Sequence, residues 1–187
     1  MSSSSSAEQV FNKKDGENPQ ILIVGLGNPI LGDDGIGWRV AEAVEKALLE
    51  GNKAGPNVHV ACFSLGGLSL MERLIGYDQA IIIDAVQTGT GIPGQVYDLR
   101  LADLPDLSTG HLTAAHDTSL QTALRLGQEM GAALPSQIVI VGIEAEKVYD
   151  FSEVLSPEIE ASIPSALQLV LERLDAMLGD VQSASNT

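Results

Sequence analysis

The sequence predicts an α/β domain, a three-layer sandwich with a twisted, mostly parallel five-stranded sheet and helices on both faces. Three observations lead there. Short apolar runs rich in Ile and Val recur along the chain, segments of helical periodicity fill the gaps between them, and Gly, Asp or Pro bounds each run.

Ile21 to Val24, Val58 to Phe63, Ala80 to Ile83 and Ile138 to Val141 are continuously apolar, as strands buried on both faces are. Gln95 to Leu101 alternates instead, which marks an edge strand or an antiparallel member. A helix starts near Gly35 and places Ile36, Val40, Val44, Ala47 and Leu48 on one face. A short helix is expected over Leu68 to Leu74. Leu120, Ala123, Leu124, Gly127 and Met130 repeat the spacing after Asp117, and Ile159, Ile163, Leu167, Val170, Leu174 and Met177 do so near the end. Ser156 followed by Pro157 is a start signal, a cap and then a first-turn proline. Pro164 inside the last segment either kinks it or marks its true start.

The chain has 187 residues, with 10 Lys and Arg against 25 Asp and Glu, for a formal charge of −15. One domain of this length buries roughly 70% of the surface its unfolded form exposes, enough for a core without crosslinks. Cys62 is the only cysteine, so neither a disulfide framework nor a Cys-rich zinc site can form, and a reducing cytoplasm is the expected compartment. The negative charge repels phosphate backbones and anionic membranes. Residues 1–19 read as a disordered polar leader without the apolar stretch of a secretory signal, residues 20–178 as one domain, and residues 179–187 as a polar tail. No apolar run approaches the roughly 18 residues needed to span a bilayer.

The densest segment runs from Gly25 through Gly27, Asn28, Gly32, Asp33, Asp34 and Gly35 to Gly37, a glycine-rich turn between a strand and a helix. One of the two adjacent carboxylates is expected to cap the helix, leaving the other as a hard ligand for a divalent cation; a cap beside a solvated Asp is an equally good reading. The glycine spacing is neither G-x-G-x-x-G nor a P-loop, so no nucleotide is expected. Asp84 follows Ile81, Ile82 and Ile83 at the carboxyl end of a strand, where side chains enter the binding crevice of such sheets; capping a loop N–H is its plainer role. His116 precedes a helix whose positive end would keep the imidazole neutral, the form that binds metal; a solvated loop residue is the plainer alternative. A parallel sheet gathers strand ends on one rim, so Asp34, Asp84 and His116 can converge there around a borderline cation such as Ni or Zn. His59 and His111 are read as structural or solvated, and Cys62 as core. Trp38, opposite the apolar stripe of its helix, is either a partner contact or packed beneath the N-terminal segment.

The opening motif, followed by Gly66-Gly67, Asp84-Ala85 and His116, resembles the hydrogenase maturation proteases over nearly all of residues 20–178. The resemblance implies an endopeptidase that removes the C-terminal extension of a [NiFe] hydrogenase large-subunit precursor after nickel insertion. It implies that Asp34, Asp84 and His116 are the metal-binding and catalytic trio, with nickel arriving on the substrate and Gly66 and Gly67 bordering the substrate cleft. Leu65 stands where many relatives carry an acidic residue, which implies a different precursor preference. In one mechanism the metal polarises the scissile carbonyl or activates water, with Asp33 or Asp84 as base; in another it is a recognition tag while carboxylates do the acid–base work. A non-cleaving, nickel-sensing chaperone is the rival reading from another class.

Overall fold

A computed structural model describes residues 19–51, 55–101, 120–146, 148 and 151–184, with side chains described as far as residue 179. Five strands form one sheet: β1 (Ile21–Leu26), β2 (Val58–Phe63), β3 (Gln79–Val86), β4 (Val96–Arg100) and β5 (Gln137–Glu144). Their spatial order is β2-β1-β3-β5-β4. All neighbours run parallel except β4, which is an antiparallel edge strand, as its alternating sequence predicts.

The helices are α1 (Ile36–Glu50), α2 (Gly67–Leu74), α3 (Leu120–Glu129), α4 (Pro157–Glu160) and α5 (Ile163–Ala184). Ile21, Ile23, Ile81, Ile83, Val141 and Ile143 point to one face and pack with Val40 and Val44 of α1 and Val170 and Leu174 of α5. Leu22, Val24, Ala80, Ile82 and Ile140 point to the other, with Leu70 and Leu74 of α2 and Ala123 and Leu124 of α3. Strand side chains alternate between faces, so one sheet builds both cores. Each fully buried Ile or Leu contributes about 1.5–3 kcal/mol relative to exposure.

The structure qualifies the sequence reading at β2 and at the chain's end, and at Pro164 it selects the reading in which the proline marks a helix start. β2 is only partly buried because it lies at the sheet edge, with no strand beyond it to complete its cover. The last helical stretch divides in two at residues 161–162, and Pro164 takes the second position of α5, where its missing N–H costs nothing. α5 then continues to Ala184, through residues expected to form a polar tail. Residues 1–18, nearly all of the expected leader, lie outside the described residues.

The strand order matters for the site. From β1 the chain crosses by α1 to β2 on one side, whereas β3 lies on the other side of β1. The gap between the carboxyl ends of β1 and β3 is thus the topological switch point, where open α/β sheets bind ligands.

Candidate functional site

Hydrogen-bonded register between β1 and β3 ends at Gly25 opposite Ile83, one residue before Asp84. There β1 lifts away into the glycine-rich turn. Asp84 is not the last residue of its strand, since β3 pairs with β5 as far as Val86 opposite Glu144. Its outer neighbour β1 has departed, however, so the half-buried Asp84 carboxylate stands at the edge of the switch point. Alternation places it on the face of Ala80 and Ile82, the side covered by α2 and α3.

Asp34 comes to the same rim through the seating of α1. A Cβ on Gly37 would lie 2.2 Å from the Leu26 carbonyl oxygen and 2.6 Å from that of Ile83. Only a bare α-carbon lets the first turn of α1 rest on the ends of β1 and β3, and this contact carries the preceding turn, Gly32–Gly35, against β3. Gly27, at φ +118°, swings the chain over Asp34; a Cβ there would meet the Asp34 backbone oxygen at 1.8 Å.

Neither acidic residue caps α1. Residues Gly32–Gly35 form a 3-10 turn, in which the Ile36 N–H donates to the Asp33 carbonyl and the Asp34 N–H to that of Leu31. Backbone acceptors thus serve the helix start, and both carboxylates are released for other roles. Asp34, 5% exposed, accepts the Asn28 N–H on Oδ2 at 2.6 Å and so closes the glycine-rich turn on itself. Asp33, 2% exposed, is engaged elsewhere. Its Oδ1 accepts the Ser156 N–H at 2.6 Å and its Oδ2 the Ser156 hydroxyl at 2.9 Å.

Two residues outside the acidic pair help to hold the site. Ser64, just after β2, donates its hydroxyl to the Gly27 carbonyl at 2.8 Å and ties the approach to α2 to the acidic turn. Asn28 folds its side-chain oxygen onto the Ile30 N–H at 3.2 Å, an Asx turn that the pair Asn28-Pro29 signals in the sequence. Gly66 lies at the N-terminal end of α2 in extended conformation, with open space where a side chain would project, and Gly67 begins the helix. Trp38 is half-buried and donates its indole N–H to the Phe63 carbonyl at 3.3 Å, packing on the end of β2.

His116 and His111 lie outside the described residues. Among the described residues no three His, Cys, Asp or Glu side chains cluster closely enough to hold a metal ion. His59 is exposed, 3.2 Å from the Gln20 side-chain oxygen and edge-on to Tyr77. Cys62 packs against the α1 core; burial, followed by the charges of Glu42 and Glu45, pushes its thiol pKa up, away from a nucleophile's range. No helix among the described residues is long and apolar enough to cross a membrane.

Comparison with known proteins agrees with this architecture. Residues 38–173 match the family model described as hydrogenase maturation protease. The chain is 30% identical over 155 residues to the hydrogenase 2 maturation protease of Escherichia coli K12, covering 83% of this chain and 90% of that one. It is 27% identical to the hydrogenase expression/formation protein HupD of Thiocapsa roseopersicina, covering 84% of this chain and 68% of the relative. The structure of the hydrogenase maturating endopeptidase HybD from E. coli superposes with a TM-score of 0.67 at 28% identity, over 84% of this chain and 93% of that one. A five-stranded sheet with one antiparallel edge, an acidic turn seated by glycines at its switch point, and these likenesses in sequence and structure have one reading: the chain belongs to the hydrogenase maturation protease family and is an endopeptidase.

Proposed function

We propose that this endopeptidase removes the C-terminal extension of a [NiFe] hydrogenase large-subunit precursor in the cytoplasm once nickel has been inserted, and that Asp34, Asp84 and His116 are the groups that meet the metal. The observation that carries the reading is the placement of Asp34 and Asp84 on either side of one switch point, with α1 seated by Gly37 on the strand that bears Asp84. Nickel enters as part of the substrate. Two hard carboxylate oxygens suit a divalent ion but leave its coordination incomplete, which fits an ion that brings precursor ligands of its own. His116 is proposed as the third donor on the strength of the family resemblance.

Within this reading the ion, held by Asp34, Asp84 and His116, would supply Lewis-acid chemistry at the scissile bond. The chain's own groups do the rest. The Asn28 N–H fixes the Asp34 carboxylate in orientation. Asp84, at the rim of the switch point, is the proposed acceptor of the attacking water's proton, while Asp33 holds Ser156. Gly66 leaves room for the substrate backbone beside α2. Family membership favours cleavage over a chaperone that senses nickel without cutting.

The test is single-turnover cleavage of nickel-loaded and nickel-free precursor by the wild type, Asp34→Asn, Asp84→Asn and His116→Ala, read by mass spectrometry. The wild type should release a C-terminal peptide from the nickel-loaded form alone, and each variant should be severely slowed. Full activity in all three variants would remove the site assignment, and an unchanged precursor mass with the wild type would turn the reading toward the chaperone.

A further inference from the structure

Glu144 is a buried acid, 4% exposed, that the proposed mechanism does not use, yet as the last residue of β5 it lies on the same rim of the sheet as the site. Register fixes its place. Asp84 of β3 pairs with Gly142 of β5, and Gly142 with Tyr97 of β4, so these three share one face, the side covered by α2 and α3. Glu144 is two residues beyond Gly142 and therefore on that face too, its α-carbon about 8 Å from that of Asp84 by strand spacing and rise.

Both side-chain oxygens of Glu144 act on the chain that follows β3. Oε1 accepts the Thr88 N–H at 2.9 Å and Oε2 the Tyr97 hydroxyl at 3.0 Å. Its backbone holds the other end of the same loop, accepting the Gly94 N–H and donating to the Gln95 carbonyl, each at 2.9 Å. Inside the loop the Gly91 N–H donates to the Thr88 hydroxyl at 3.0 Å, and a Cβ on Gly91 would meet the Tyr97 hydroxyl at 2.2 Å and Glu144 Oε2 at 2.4 Å, so the loop backbone lies directly on the pair. Burying an acid costs free energy that hydrogen bonds must offset, and here those bonds fall just past the end of β3 and on β4.

β3 needs such a tie where it carries Asp84. As far as Ile83 the strand has neighbours on both sides, β1 and β5, whereas from Asp84 to Val86 its ladder is with β5 alone. A strand end paired along one edge opens more readily than one paired along two. The Ala145 N–H on the Val86 carbonyl, at 2.9 Å, and the Glu144 carboxylate on Thr88 continue the hold from the β5 side. A group that acts on a reacting atom must be held to a fraction of an ångström, since misplacement by about 1 Å costs about 100-fold in rate.

We propose that Glu144 is a positioning residue, which together with Tyr97 pins the one-sided end of β3 and so fixes Asp84 against the scissile segment of the precursor. The inference rests on the proposed role of Asp84 and adds what holds that carboxylate in place.

The experiment compares the wild type, Glu144→Ala, Glu144→Gln and Tyr97→Phe by single-turnover cleavage of nickel-loaded precursor, by precursor affinity in biolayer interferometry, and by amide hydrogen exchange over residues 84–91, with circular dichroism reporting folding. Glu144→Ala should slow cleavage about tenfold or more at an affinity within about threefold of the wild type, and exchange over residues 84–91 should quicken. Gln keeps an oxygen for the Thr88 N–H and turns its amide toward the Tyr97 hydroxyl, which can accept, so Glu144→Gln should return the rate to within about threefold of the wild type. In an Asp84→Asn background Glu144→Ala should slow cleavage no further, because it acts through Asp84. Should Glu144→Ala fold poorly, Tyr97→Phe, which keeps the ring and loses one bond, carries the test with a smaller change in the same direction. A folded Glu144→Ala with wild-type cleavage and exchange overturns the positioning role, whatever its melting temperature, and leaves the proposed cleavage standing. Glu144→Gln as slow as Glu144→Ala overturns it in favour of the carboxylate's charge, and full additivity with Asp84→Asn overturns it as well. If the wild type does not cleave, the proposed function fails while exchange over residues 84–91 still decides whether Glu144 holds the end of β3.

Discussion

Asp33 and Ser156 are 123 positions apart, and two hydrogen bonds, from the Ser156 N–H and hydroxyl, close the buried Asp33 carboxylate onto the start of α4. The pair bolts the acidic turn to the C-terminal third of the chain. Ser156→Ala deletes the hydroxyl bond but keeps the backbone one, and should cost about 1 kcal/mol of stability. Asp33→Asn replaces an acceptor-only group by one that turns an NH2 toward a donor, at about 2–3 kcal/mol. The double variant should lose less than the sum of the two, since both act on one contact. Urea unfolding of the four proteins measures this, and strictly additive losses would mean that the two side chains do not meet.

Asp34 and Asp84 should separate chemistry from folding. An Asn at position 34 still offers an oxygen to the Asn28 N–H, and an Asn at the half-buried position 84 remains at the rim of the sheet. Each substitution should lower single-turnover cleavage by about 100-fold or more in a protein that circular dichroism shows to be folded, the scale of losing a group that acts on the transition state. A variant that cleaves at the wild-type rate while folded would exclude its residue from the mechanism.

The fold was legible because each apolar run is long enough to be a strand and every gap but that between β3 and β4 carries helical periodicity. The alternation of Gln95 to Leu101 marked an edge strand or an antiparallel member, and β4 is both. The exposure of β2 was not legible, because edge position follows from strand order, which is a property of the whole chain. At the candidate site, the sequence located Asp34 in the turn that follows β1 and Asp84 near the carboxyl end of β3, where the structure has them. The division of labour between Asp33 and Asp34 was not, since it depends on a serine 123 residues away and on a 3-10 turn that supplies the helix start from its own backbone. Local patterns specify caps as one option only; tertiary contacts decide whether they are used.

Two glycines should respond in opposite ways to the same added methyl group. At Gly37 the new Cβ would fall 2.2 Å from one backbone oxygen and 2.6 Å from another, neither of which can rotate aside, so Gly37→Ala must displace α1 at a cost of about 3 kcal/mol or more. Gly66 has φ −141°, which any residue adopts, and nothing within 4 Å of an added Cβ. Gly66→Ala should keep the wild-type melting temperature yet raise KM severalfold, because the methyl narrows the space assigned to the substrate backbone. Thermal unfolding and cleavage kinetics on both variants decide it; an unaltered KM for Gly66→Ala would take that glycine out of the cleft.

Cys62 should prove structural. Burial and the nearby Glu42 and Glu45 raise its thiol pKa, so the thiolate is scarce at neutral pH and alkylation by iodoacetamide should be slow in the folded protein. The sign of the linkage follows from the same shift. Below the ordinary thiol value of 9.0 both states are protonated and the contribution is fully present. As pH rises past that value the unfolded chain releases its proton first, and stability falls toward the higher folded value. Cys62→Ala should therefore show a shallower loss of stability than the wild type across the alkaline limb, with cleavage at neutral pH retained. Rapid alkylation accompanied by loss of cleavage would instead make the thiol part of the catalytic apparatus.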